Sequence, residues 1–144
     1  MKLSTRTRYG LRAMVELATW FGDGPVQIKV IANRQEISVK YLEQLISVLK
    51  SSGFVHSIRG AKGGYVLAKK PDEIRLSEIF AVLEGEVITT DCVKDAKVCS
   101  RSCDCVARDI WVEVQQAIDG ILGSVTLQDM VDRLNSRCKV DYQI

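Results

Sequence analysis

The stretch "ISVKYLEQLISVLKSSG", residues 37–53, constrains the fold of this chain more tightly than any other. Ser38 is a natural N-cap, and Leu42, Leu45, Ile46 and Leu49 follow at the spacing of a single helical face. The opposite face carries Lys40, Glu43, Gln44, Ser47 and Lys50, and "SSG" ends the helix at 51–53. Two strand-like runs come directly after it, "FVHSI" at 54–58 and "YVLA" at 65–68, joined by "RGAKGG". Three glycines in that six-residue link make a mobile hairpin tip, and Arg59 and Lys62 make it basic. A helix with one apolar face, running straight into a hairpin, needs other helices to cover it.

Those helices are legible on both sides. Residues 4–21 predict a first helix, capped by Ser4, with Leu11, Val15 and Ala18 at helical spacing and Met14 beside them. "GDGP" at 22–25 is a loop, "IKVIANRQ" at 28–35 a short helix, and "EIS" a turn. After the hairpin, Pro71 ends the unit. "LSEIFAVLEG" predicts a helix capped by Ser77 and stopped by Gly85. A long helix is expected over 106–122, where Val106, Ile110, Val114, Ala117, Ile118 and Ile121 form an apolar stripe with Trp111 alongside. Thr126 caps a further short helix at 126–134, and the last ten residues, with Cys138, are expected to be loosely held. No internal repeat or low-complexity tract is present.

Helix, short helix, turn, helix and glycine-tipped basic hairpin is the order of a winged helix-turn-helix. The fold class expected is therefore mainly α with a small β-hairpin. In such a motif the second helix enters the major groove end-on, bringing Ser38, Lys40, Glu43 and Gln44 to base edges and phosphates. Glutamine can pair with adenine and glutamate can accept from the cytosine amino group. An arginine-tipped hairpin can follow the backbone or enter a narrow minor groove. The charge distribution points the same way. Residues 1–70 hold twelve Lys/Arg against four acids, a balance of +8, while residues 71–144 hold eight against fourteen, a balance of −6.

At 144 residues with 47% hydrophobic content, the chain suits one domain with an appendage and can bury a core without disulfides. The opening residues, with Arg6, Arg8 and Arg12, do not read as a signal peptide, and no apolar run reaches the roughly 20 residues a membrane helix needs. A cytoplasmic, reducing location is expected. There the segment "DCVKDAKVCSRSCDC" at 91–105 reads as metal-binding or redox-active rather than as a disulfide framework. Its spacings, six residues between Cys92 and Cys99, three to Cys103 and one to Cys105, lack the paired knuckles of a structural zinc site. Soft thiolates in a polar, aperiodic loop also suit an iron–sulfur cluster. No acid–base constellation and no Cys-x2-Cys at a helix start favours an enzyme.

"STRTRYGLRAMVELA", "ISVKYLEQLISVLKSSGFVHSIRGAKGGYVLAK" and "LSEIFAVLEG" strongly resemble the bacterial IscR-like winged-helix transcription regulators, which include NsrR and CymR among their relatives. The resemblance covers nearly the whole chain. It implies a homodimer on near-palindromic double-stranded operators, with DNA contacts from Ser38, Lys40, Tyr41, Glu43, Gln44 and Arg59. It also implies pairing of protomers through the long C-terminal helix. The division expected is a DNA-binding domain over 1–86, a cysteine-rich cluster-binding loop over 87–105, and a dimerisation helix with C-terminal segment over 106–144. By the same resemblance Cys92, Cys99 and Cys105 match cluster ligands, with Cys103 an extra, and 2Fe–2S ranks ahead of 4Fe–4S. Where the family places a histidine as the fourth ligand, this chain has Arg108; His56, its sole histidine, falls in the wing. Cys103, Asp104 or a non-protein ligand would then complete the set. The implied function is a regulator, acting as a repressor, that senses cluster status. The alternatives are a thiol-, redox- or nitric oxide-responsive regulator of the same fold, or a zinc-stapled interaction module that does not bind DNA.

Overall fold

Two hydroxyls set the starts of the first and third helices. In the computed structural model, which describes residues 2–141 with side chains through 138, the Ser4 Oγ accepts from the Thr7 amide at 3.1 Å and the Ser38 Oγ from the Tyr41 amide at 3.1 Å. Helix α1 spans Thr5–Thr19, α2 Ile28–Gln35 and α3 Val39–Ser51. Between α2 and α3, Glu36 adopts a left-handed conformation (φ 55°), and the Ile37 amide bonds back to the Ala32 carbonyl at 3.0 Å. That turn sets the third helix across the second, as the helix-turn-helix requires.

The hairpin pairs β1 (Val55–Ile58) with β2 (Gly64–Leu67) in antiparallel register, Val55 opposite Leu67 and Ile58 opposite Gly64. Val26 extends it, exchanging amide and carbonyl bonds with Tyr65 at 2.9 and 2.8 Å. Gly64 is obligatory there: φ is +154°, and a Cβ would lie 2.4 Å from the Val26 carbonyl oxygen. A 3-10 turn at Pro71–Glu73 leads to α4, Leu76–Leu83.

The predicted cap of α4 is corrected. Ser77 lies inside the helix; Arg75 precedes it, and the Glu78 carboxylate reaches back to accept from the Arg75 amide at 2.8 Å. The cysteine segment holds a four-residue helix, α5 (Asp91–Lys94), and a 3-10 turn at Ala96–Val98. Helix α6 runs Val106–Ser124 and α7 runs Leu127–Asp141, so the expectation of a loose tail is corrected over residues 135–141, while 142–144 lie outside the described residues. "NSRCKVD", residues 135–141, contains neither Gly nor Pro, and nothing in it stops the helix.

Met14 and Leu17 of α1, Ile31 of α2, Leu42, Leu45, Ile46 and Leu49 of α3, and Ile79 of α4 are almost wholly buried. Leu127 and Val131 of α7 join the same core. Leu11 and Val15, expected to lead the buried face of α1, are half-buried instead. The deep face carries Ala13, Met14 and Leu17, and α7 returns across the chain to cover the flank.

Candidate nucleic-acid interface and cysteine segment

The four apolar residues of α3 pack inward, which turns its polar face outward: Ser38, Lys40, Glu43 and Gln44 are exposed. Tyr41 is half-buried, its ring edge-on to Tyr9 with centroids 6.1 Å apart, and the Arg12 guanidinium lies 5.2 Å from the Tyr9 centroid. The stack fixes the first turn of α3 against α1. Arg59 is exposed at the hairpin tip and lines a cleft of about 450 Å³ with Lys29 and Ile58, between the wing and the start of α2.

The sequence alone does not place Lys29, Tyr9 or Arg12 beside these residues. Lys29 comes beside the wing only because Val26 pairs with Tyr65, a contact between residues too far apart in the chain for periodicity to register. Among the expected DNA contacts, five are solvent-facing and Tyr41 braces them. His56 is exposed on β1, opposite Val66.

A buried carboxylate secures the helix-turn-helix from behind. Glu16 forms an ion pair with Arg34 Nη1 at 3.0 Å and accepts from Gln35 Nε2 at 3.1 Å and Trp20 Nε1 at 3.3 Å. Arg12 grips the same Gln35 by its side-chain oxygen at 2.8 Å and its carbonyl at 3.0 Å. A second carboxylate joins α1 to α4. Glu84 accepts from the Ser4 hydroxyl at 2.6 Å, the Ser4 amide at 3.1 Å and the Thr7 hydroxyl. The Ser4 hydroxyl, then that of Thr7, hold its pKa below the usual glutamate value.

All five cysteines are free thiols. Cys92 and Cys105 are half-buried, whereas Cys99, Cys103 and Cys138 are exposed. The Cys92 sulfur lies 3.1 Å from the Thr90 hydroxyl, and Arg108 Nε donates to the Cys92 carbonyl at 3.1 Å. Arg108, at the position where the resemblance implies a histidine, thus ties the segment to α6. Upstream, the Gln115 amide donates to the Val87 carbonyl and accepts from the Thr89 amide, each at 2.8 Å. Lys94 pairs with Glu86.

The donor set suits an iron–sulfur cluster by its chemistry, but the donors do not converge. Among the described residues no three Cys, His, Asp or Glu form a group that could hold a metal ion. Neither α5 nor the following turn buries a residue, so the segment can close without disturbing the core.

The outer face of α6 is uncovered. Val106 is 79% exposed, Ile121 61%, Ile110 51%, Trp111 42% and Val114 40%. Ala117 is exposed on that face and Ile118 half-buried at its border. Among the described residues no helix is long and apolar enough to cross a membrane.

A family model described as "Rrf2: Iron-dependent Transcriptional regulator" matches residues 3–133. The HTH-type transcriptional regulator CymR of Bacillus subtilis (strain 168) is 42% identical over 130 residues, 90% of this chain and 89% of its own. The solved structure of B. subtilis CymR, described as the global cysteine regulator, superposes with a TM-score of 0.81 at 41% identity, covering 92% of this chain and 98% of that one. T. potens IscR superposes with a TM-score of 0.75 at 42% identity, covering 93% and 88%. The oxidised form of Staphylococcus aureus CymR gives 0.73 at 36% identity, covering 91% and 96%. This chain belongs to the Rrf2 family of winged-helix transcriptional regulators and is not an enzyme.

Proposed function

We propose that this regulator is a cytoplasmic homodimer that represses transcription from near-palindromic operators and senses iron–sulfur cluster status through residues 87–105. Residues 1–86 read DNA, through Ser38, Lys40, Glu43 and Gln44 of α3, the bracing Tyr41, and Arg59 of the wing. Residues 106–144 bring two copies together on the uncovered face of α6. The observation that carries the reading is the bond from Arg108 to the Cys92 carbonyl, which fastens the cysteine segment to α6.

Cys92, Cys99 and Cys105 would hold the cluster, with Cys103 or Asp104 available as a further donor. A bound cluster supplies iron and sulfide whose retention depends on iron supply and oxidants. The chain supplies the coupling. Closing the segment on its thiolates displaces Cys92 relative to Arg108, shifts α6, and changes the distance between the two recognition helices. A ligand moves that equilibrium only by binding the two arrangements unequally.

A second reading, a reversible disulfide between Cys103 and either Cys105 or Cys99, rests on the exposure of Cys99 and Cys103 and on the likeness to a CymR solved in an oxidised form. Anaerobic purification with visible spectra and iron and sulfide analysis separates the two. Stoichiometric inorganic sulfide, lost in Cys92→Ala, Cys99→Ala and Cys105→Ala, is the outcome expected for a cluster. Sulfide-free protein whose free-thiol count falls on oxidation would replace that reading with the thiol switch.

A further inference from the structure

Helices α1 and α7 part on the flank of the molecule, leaving a groove of about 490 Å³ that ends at Gln35, the last residue of α2. Leu11, Val15, Met130 and Leu134 give it an apolar floor, and Arg12, Arg133 and Arg137 stand along it. Glu16 is the one acid in the lining, and Arg34 and Gln35 already occupy its carboxylate. Arg133 and Arg137 make no ion pair among the described residues, although Asp129 one turn earlier feels the charge of Arg133. Two of the five guanidinium N–H groups of Arg12 hold Gln35, which leaves the others open to a ligand.

We infer that this groove binds a small amphipathic anion, a carboxylate on an aliphatic body of about six to eight carbons, which suits a concavity of this size. An apolar floor beside guanidinium groups that make no ion pair among the described residues takes one charged end and one hydrocarbon end. The surplus of positive charge rejects a cation. Nucleic acid is disfavoured because no aromatic ring lines the groove to stack a base, and the Tyr9 ring is engaged by Arg12 and Tyr41. A second copy of the chain has its own apolar face on α6, and α6 contributes nothing to the groove.

Occupancy acts on DNA reading through Arg12. An anion on that guanidinium competes with the Gln35 carbonyl, one residue before the left-handed turn that sets α3. The ligand thereby alters the orientation of the recognition helix independently of the cysteine segment. The groove itself stands whether or not that segment carries a cluster.

The probe is octanoate, titrated calorimetrically into the full-length protein, with octan-1-ol and inorganic phosphate as separate arms. Saturable binding of one octanoate per protomer is expected, at least about tenfold tighter than octanol, a difference of about 1.4 kcal/mol. Phosphate is expected not to saturate. The double variant Arg133→Gln/Arg137→Gln changes only surface side chains, so it is expected to keep the parent's melting temperature while octanoate affinity drops at least about tenfold. Equal affinity for octanoate and octanol, saturable phosphate binding, or full octanoate affinity in the double variant would each overturn the site. Octanoate that binds saturably yet leaves gel-shift affinity for genomic operator fragments unchanged would overturn its coupling to DNA reading.

Discussion

Glu84 stands at the end of α4, but its carboxylate works at the start of α1, where it takes two hydroxyls and an amide. Because those donors lower its pKa in the folded state, the ionised form is the one that stabilises. The contribution is fully present above the unfolded value near 4.5 and is lost as pH falls through the lower folded value. Glu84→Gln is expected to lower stability at pH 7 by roughly 1–2 kcal/mol. The deficit shrinks as the pH of thermal melts is taken from 7 to 3; a constant difference across that range would show that the ionised carboxylate contributes nothing special. Neither partner was visible as such in the sequence. "LSEIFAVLEG" carries, just before its final glycine, a glutamate that composition alone leaves on the surface, and only the fold brings it within reach of Ser4.

The third helix shows how far local pattern carries and where it stops. Its cap, its buried face and its outward polar face all followed from spacing, since an amphipathic period reports a nearby core directly. The hairpin and the short α2 were legible for similar reasons, through glycines and strand-forming residues. The start of α4 was not: a serine inside the helix looked like a cap, while the back-reaching Glu78 is the operative one. The cysteine segment lacked any period, so its two short turns could not be read, and "NSRCKVD" has too few apolar residues to announce the rest of α7. Within α3, the sharpest expectation concerns Glu43. A carboxylate near phosphate is repelled unless it meets a donor such as the cytosine amino group. Glu43→Ala is therefore expected to relax discrimination among operator variants by about 1–3 kcal/mol at one position, with little loss of overall affinity. Competition binding with single-base operator variants measures this, and unchanged preferences would remove Glu43 from the reading surface.

For the molecule as a whole, the positive balance and the exposed apolar stripe of α6 belong to different halves of the chain. With the positive balance confined to residues 1–70, affinity for DNA is expected to fall at least about tenfold between 50 and 200 mM salt, because each neutralised phosphate releases counterions. A flat response would refute phosphate-dominated binding. The bare face of α6 makes the complementary prediction. Ile110→Glu or Val114→Glu, at sites already exposed in the protomer, is expected to leave helicity intact while sedimentation shifts from dimer to monomer. Retention of the dimer in both would place the contact elsewhere.

The return of α7 across α1 bears on the genetics of such a regulator. Leu127 and Val131 complete a core that otherwise belongs to the DNA-reading half, and the strand-like bridge between Arg75 and Thr126 joins the two ends of that core. A nonsense allele ending near residue 120 would still encode every residue of α3 and the wing. It would nonetheless express a product with an opened core and lost backbone bonds at Ile74 and Leu76, destined for proteolysis rather than for constitutive occupancy of its operator. Late truncations and full deletions should therefore share one phenotype. Alleles that separate DNA binding from signal response should be missense changes in the cysteine segment, on the outer face of α6 or in the groove between α1 and α7.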